Sequence, residues 1–182
     1  MDIKSFHPPQ RVLMGPGPSD VSARVLAAMA RPTIGHLDPL FVNLMDEMKT
    51  LLKYAFKTEN ELTMPVSAPG SAGMETCFVN LLEPGDKVVV CAKGFFGQRM
   101  IDVAGRTGAA VTVLEKPWGE VFDLNPIRET LQKVRPKLLA IVQAETSTGV
   151  LQPLDQLGNL CRETDTLLMV DSVTALGCVP LA

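Results

Sequence analysis

Asp171 closes the apolar run Leu167-Leu168-Met169-Val170, which places its carboxylate at the edge of a core. A charge in that position is costly unless it is paired or hydrogen-bonded. A cationic ring nitrogen, the N–H groups of a turn and a metal ion are the partners open to it. A second candidate is the turn Ser67-Ala68-Pro69-Gly70-Ser71-Ala72-Gly73, between an apolar segment and a helical pattern. Glycines there let backbone N–H groups converge, and a helix N-terminus adds positive character, a combination that binds phosphate. The turn lacks the Gly-Lys-Ser/Thr ending of a Walker loop and does not match the dinucleotide fingerprint. Its other reading is a tight turn that uses glycine for geometry alone. Phe95-Phe96 follows the run Lys87–Ala92, where a ring could lie flat on a planar ligand or pack on a sheet. Thr146-Ser147-Thr148-Gly149 follows KLLAIVQAE and offers three hydroxyls, either to a ligand or to close a loop. His36, in the loop TIGHLDP, could meet a ligand or stand in solvent.

The elements that must position these residues alternate along the chain. HPPQRVLMGPGPSDVS is rich in Pro and Gly and reads as an extended arm followed by a turn. Ser19 or Asp20 is expected to cap a short helix through Met29. Asp38 is the expected N-cap of the next helix, with Pro39 at its first position. Leu40, Leu44, Met48, Leu51, Leu52 and Ala55 then repeat at helical spacing to about Lys57. ELTMPVS reads as a strand, and Met74, Cys77, Phe78, Leu81 and Leu82 as one face of a helix. KVVVCA reads as a strand. GFFGQRMIDVAGRTG reads as a helix with Phe96, Met100, Val103 and Ala104 on one face. AAVTVLE is a further strand, and Asp123 or Asn125 with Pro126 opens another helix. KLLAIVQAE and TLLMVDS are strands separated by a helix from about Asp155 to Glu163.

This alternation predicts βαβ units and an α/β fold, a mostly parallel sheet with helices on both faces. In such sheets ligands bind at the carboxyl ends of the strands, so the loops that follow strands are the ones to search. Residues 1–60, the arm and first long helix, stand apart from the alternation. The sheet domain is expected over 61–182.

Composition excludes several functions. A chain of 182 residues suits one domain with a sizeable core. Its net charge of −3 gives no reason to expect nucleic acid or an anionic membrane as partner. Seven Phe, one Trp and one Tyr provide no stacking platform for bases. Four cysteines without a C-x-x-C pair read as buried small residues in a reducing compartment, not as disulfides or a zinc site. Only His7 and His36 are present, so no metal site is expected and a Ser-His-Asp triad is not supported. The start MDIKSFHPPQR lacks the apolar core of a signal peptide. No apolar stretch reaches the ~20 residues of a membrane helix. A cytoplasmic location is expected.

Taken in order, LMGPGPSDV, SAPGSAGMET, LLEPGDKVVV, GFFGQRM, AETSTGVLQPL and LLMVDSVTALG resemble the class V aminotransferases of pyridoxal-phosphate (PLP) fold type I. The resemblance is strongest to the alanine–glyoxylate and serine–glyoxylate enzymes and covers nearly the whole chain. It implies pyridoxal 5'-phosphate as cofactor and transfer of an amino group from alanine or serine to glyoxylate or a related 2-oxo acid. By the same resemblance, N–H groups around Gly70, Ser71 and Ala72 would hold the cofactor phosphate. Phe96 would stack on one ring face and Val173 would pack against the other. Asp171 would pair with the pyridine nitrogen, and Thr146 would bond the ring hydroxyl region. Gly15 and the Gly35-His36 loop would meet the substrate carboxylate. A homodimer whose interface buries the active site is implied as well.

The sequence departs from that pattern in one respect. The family places its Schiff-base lysine shortly after the cofactor aspartate, and here the last lysine is Lys137. No catalytic residue is therefore assigned within these 182 residues, and the chain alone is not expected to transaminate. The family's substrate-binding arginine is likewise not among them. The alternatives are a non-catalytic fragment or pseudoenzyme that pairs with a partner chain, and another class V reaction. That reaction could be ureidoglycine–glyoxylate or hydroxykynurenine aminotransfer, or a desulfurase-like activity. The 182 residues made alone are expected to leave sheet surface uncovered and to aggregate or pair through it. Size-exclusion chromatography is expected to show that behaviour, and a well-behaved monomer would count against it.

Overall fold

The computed structural model describes residues 5–180. The first four residues of the arm and the last two of the terminal ALGCVPLA lie outside them. Packing divides the chain into two compact units, Met1–Leu44 and Met45–Ala182, whereas the boundary expected from the sequence lies near Glu61.

In the first unit α1 spans Ala23–Met29. Its N-cap is Ser22, later than the expected Ser19 or Asp20, and the Ser22 side chain makes no capping bond. Asp20 is engaged elsewhere, its Oδ2 accepting the Leu13 N–H at 3.4 Å. Helix α2, Pro39–Phe56, begins in the first unit as the sequence predicts, and its residues from Met45 onward belong to the second. Pro39 is its first residue, and Asp38 Oδ1 accepts the Leu40 N–H at 2.8 Å. No residue of α1 or α2 is buried.

The second unit corrects one expected strand. ELTMPVS, residues 61–67, forms no strand. Pro65 has no N–H to give a ladder, and no strand among the described residues pairs with this segment. The chain bends at Ser67-Ala68 directly into α3, Gly70–Leu81. There follow β1 Lys87–Ala92, α4 Phe95–Arg106, β2 Ala110–Glu115, α5 Leu124–Val134 and β3 Leu138–Val142.

KLLAIVQAE is not one strand, because the ladder changes hands at Gln143. The Gln143 N–H donates to the Asp171 carbonyl at 2.9 Å, while its own carbonyl accepts the Gln152 N–H at 2.7 Å. Beyond it β4, Ala144–Glu145, pairs antiparallel with β5, Val150–Leu151, in a small hairpin. Helix α6, Leu157–Glu163, and β6, Leu167–Asp171, complete the order.

The main sheet runs β2-β1-β3-β6 and is parallel throughout. Val88 lies opposite Leu138, and Leu138 opposite Leu167, so side chains of equal parity share a face. Val88, Val90, Leu138, Ala140 and Val142 pack with Met74, Phe78, Met100 and Ala104 of α3 and α4. Val89, Cys91, Leu139 and Ile141 pack with Ile127 and Leu131 of α5 and with Leu157, Leu160 and Cys161 of α6. Both faces are therefore covered by helices, which explains why β1 and β3 are apolar runs without alternation. Of the cysteines only Cys91 and Cys161 are buried; Cys77 and Cys178 are exposed, contrary to expectation. Cys77 is at the helical spacing of its buried neighbours but at the rim of the α3 face, while Cys178 lies in the irregular segment after β6.

Two features set this packing tightly. Gly97 brings α4 onto β1 so closely that a Cβ there would lie 2.7 Å from Ala92 Cα. Lys93, just past β1, is only 1% exposed, and its Nζ donates to the Val150 carbonyl at 3.4 Å. Burial draws its pKa from 10.5 down to about 8, with the charges of Glu145 and Cys91 opposing the shift. Gly97→Ala is expected to destabilise the fold by about 1–3 kcal/mol, measured by urea unfolding, because backbone must move. Between about pH 8 and 10.5 the unfolded chain holds a proton at Lys93 that the folded chain has released, so Lys93 contributes a rise in stability with pH across that window, set against the opposite trend of the buried Cys91 and Cys161 thiols. The difference in urea midpoint between the wild-type chain and Lys93→Met is expected to shift in the wild type's favour as pH rises from about 8 to 10.5.

Candidate functional site

At the carboxyl ends of β3 and β6, a hollow of about 140 Å³ is lined by Gly70, Ser71, Phe96, Thr146, Asp171 and Val173, together with Pro69, Met74, Val142, Ala144 and Thr174. Six of the seven residues expected at a cofactor thus meet in one place. A larger open hollow, about 850 Å³, lies at the opposite end of the sheet around Asp86, Lys87, Arg135 and Lys137. That is the end at which strands begin, and open α/β sheets bind ligands at the other.

Helix α3 starts inside the glycine turn, with Pro69 as N-cap. The N–H groups of Gly70 and Ser71 have no acceptor among the described residues. They are the orphan donors of a helix start. Ala72 differs: its N–H already donates to the Pro69 carbonyl at 2.9 Å, and the residue does not line the hollow. Gly70 also permits close approach, since a Cβ there would lie 3.1 Å from Val173 Cγ2.

Helix α4 meets the same region with its N-terminus closed. Glu145 is fully buried, and its Oε1 and Oε2 accept the N–H groups of Phe96 and Gly97, each at 3.2 Å. Ser147 completes the cap. Its Oγ donates to Glu145 Oε1 at 2.7 Å and accepts the Phe95 N–H at 2.9 Å. A side chain on Gly94 would collide with Glu145, which is why the approach to this helix carries glycine. The carboxylate thereby fixes Phe96, whose half-buried ring stands edge-on to Phe95 with centroids 5.4 Å apart. Sequence reasoning passed over Glu145 as the end of a strand. Its signal was available in QAE-TSTG-VLQ, two short runs joined by a four-residue turn ending in glycine.

The other polar groups are equally constrained. Thr174 Oγ1 donates to the Ala144 carbonyl at 2.6 Å, so in its 3.1 Å contact with Thr146 the donor is Thr146. The Thr146 hydroxyl is thus left with acceptor capacity. Asp171 is half-buried at the end of β6, and its Oδ1 accepts the Val173 N–H at 3.0 Å. No cation pairs with it among the described residues. Gly15, Gly35 and His36 belong to the first compact unit, all exposed. Among the described residues no cluster of three or more His, Cys, Asp or Glu is placed to hold a metal ion, and no helix is long and apolar enough to cross a membrane.

These groups suit a flat, anionic, nitrogen-containing ligand: free N–H donors at one side, an aromatic and a branched aliphatic side chain, and a carboxylate without a cation. Comparison with known proteins places the chain among relatives of one family. The rat (Rattus norvegicus) alanine–glyoxylate aminotransferase is 46% identical over 173 residues, 95% of this chain and 42% of that protein. A Bacillus subtilis (S)-ureidoglycine–glyoxylate transaminase is 40% identical over 93% of this chain and 41% of its own length. The crystal structure of an alanine–glyoxylate aminotransferase from Nostoc sp. superposes with a TM-score of 0.96 at 51% identity, covering 100% of this chain and 48% of that one. The chain spans about half the length of the relatives it matches. The family model for class-V aminotransferases matches residues 16–182. On that match, the relatives' identity and the fold they share, the chain belongs to the class-V aminotransferase family.

Proposed function

We propose that the whole protein is a PLP-dependent aminotransferase that moves an amino group from alanine or serine to glyoxylate. The observation that carries this reading is the convergence of Gly70, Ser71, Phe96, Thr146, Asp171 and Val173 on one hollow. PLP, when bound, supplies an electron sink for the carbanion formed at the substrate's α-carbon. The Gly70 and Ser71 N–H groups would take its phosphate at the start of α3. Phe96 and Val173 would hold the ring between them, and Thr146 would meet the ring hydroxyl. Asp171 would hold a proton on the ring nitrogen, which its unpaired carboxylate suits. Gly15, Gly35 and His36 would meet the substrate carboxylate.

Among the described residues no lysine lines the hollow, so covalent anchoring and proton shuttling are assigned to the whole protein and not to these residues. A homodimer is part of the proposal. Its support is the apolar surface of α2, where Leu40, Leu51 and Tyr54 are 70%, 66% and 84% exposed. The likeness to a ureidoglycine enzyme favours a second reading, in which ureidoglycine is the donor. Turnover of the whole protein with alanine, serine and (S)-ureidoglycine against glyoxylate separates them. Preference for alanine or serine supports the first, preference for ureidoglycine the second, and no transfer from any donor overturns both. Asp171→Asn is expected to lower kcat by about two orders of magnitude while leaving the fold intact by circular dichroism.

A further inference from the structure

The hollow has an imbalance of charge. Among the described residues Asp171 is its only charged lining residue, and no Lys, Arg or His is among the others. A phosphorylated ligand would bring further negative charge, which two backbone N–H groups and a helix dipole balance only in part. Immediately behind the lining stands an unpaired cation. Arg99, on α4, donates from Nη1 to Ser71 Oγ at 3.1 Å, and its guanidinium lies over the Phe95 ring, 5.4 Å from the centroid. No carboxylate pairs with it among the described residues. A half-buried guanidinium with a fixed stacking partner and no anion is a cation held ready for one.

We infer that Arg99 is a positioning residue for the ligand's phosphate, acting through the Ser71 hydroxyl. An arginine can only donate, so Ser71 Oγ is the acceptor in this bond. The Ser71 proton has no acceptor among the described residues and is left for the hollow. Arg99 thus orients that hydroxyl as a donor and adds positive charge one hydroxyl away from the site. The cap on α4 serves the same arrangement, because Glu145 fixes the helix that carries both Arg99 and the Phe95 ring beneath it. The inference rests on the PLP reading above.

Pyridoxamine 5'-phosphate and pyridoxamine differ only in the phosphate and form no covalent bond to protein amines, so their dissociation constants isolate the phosphate's contribution. In the whole protein, Arg99→Gln is expected to weaken pyridoxamine 5'-phosphate about tenfold and pyridoxamine by less than about twofold. Arg99→Lys keeps the charge and is expected to restore most of the lost affinity. Ser71→Ala is expected to show the same selective loss, and adding Arg99→Gln to it little more, since the relay is already cut. These two milder changes carry the test if Arg99→Gln does not fold. Equal weakening of both ligands, or no weakening, overturns the role of Arg99 and leaves the cofactor reading standing. A wild-type protein that binds neither ligand overturns both.

Discussion

Burying a carboxylate costs several kcal/mol unless its oxygens find donors, and Glu145 meets that condition with backbone N–H groups of α4 and the Ser147 hydroxyl. The bond network does more than satisfy one side chain. It joins the hairpin that follows β3 to the helix that follows β1, two elements separated by some fifty residues of chain. Phe96 is held because its own N–H is in the network. Thr146 is held because it is the neighbour of Glu145 at the hairpin turn. The glycine at position 94 is required because that carboxylate occupies the space a side chain would need.

The same cap divides the labour between two helix starts that face one end of the sheet. Helix α4 has its positive end answered from within the protein, so it serves as a rigid support. Helix α3 has no such answer. Among the described residues its Gly70 and Ser71 N–H groups have no acceptor, its N-cap is a proline without a side-chain acceptor, and its serine lines the hollow. One end is closed so that its residues stay still, and the other is open to receive charge.

Much of this order was readable in the chain, and for physical reasons. Asp38 and Pro39 announce a helix because capping is a local matter of a few residues. The runs Lys87–Ala92 and Leu138–Val142 announce buried parallel strands because both their faces meet helices. The segment 61–67 failed as a strand because a strand needs a partner, which its own residues do not supply. Asp20 failed as a cap because it found a backbone N–H at Leu13 instead. Cys77 and Cys178 failed as core residues because helical spacing and apolar neighbours say which side a residue tends toward, not how far the face extends.

By itself the sequence determined the alternation of strands and helices, the place of the glycine turn and of Asp171, and a motif order specific enough to imply the family. Those are properties of neighbours in the chain. Only the tertiary structure decided that Gly70, Phe96, Thr146, Asp171 and Val173 share one hollow, that Ala72's N–H is already used, and that Glu145 and Arg99 stand behind the lining. These depend on register between parallel strands and on helices crossing them. Residues more than a hundred positions apart, such as Gly70 and Val173, thereby line one hollow, and no local pattern encodes such a distance.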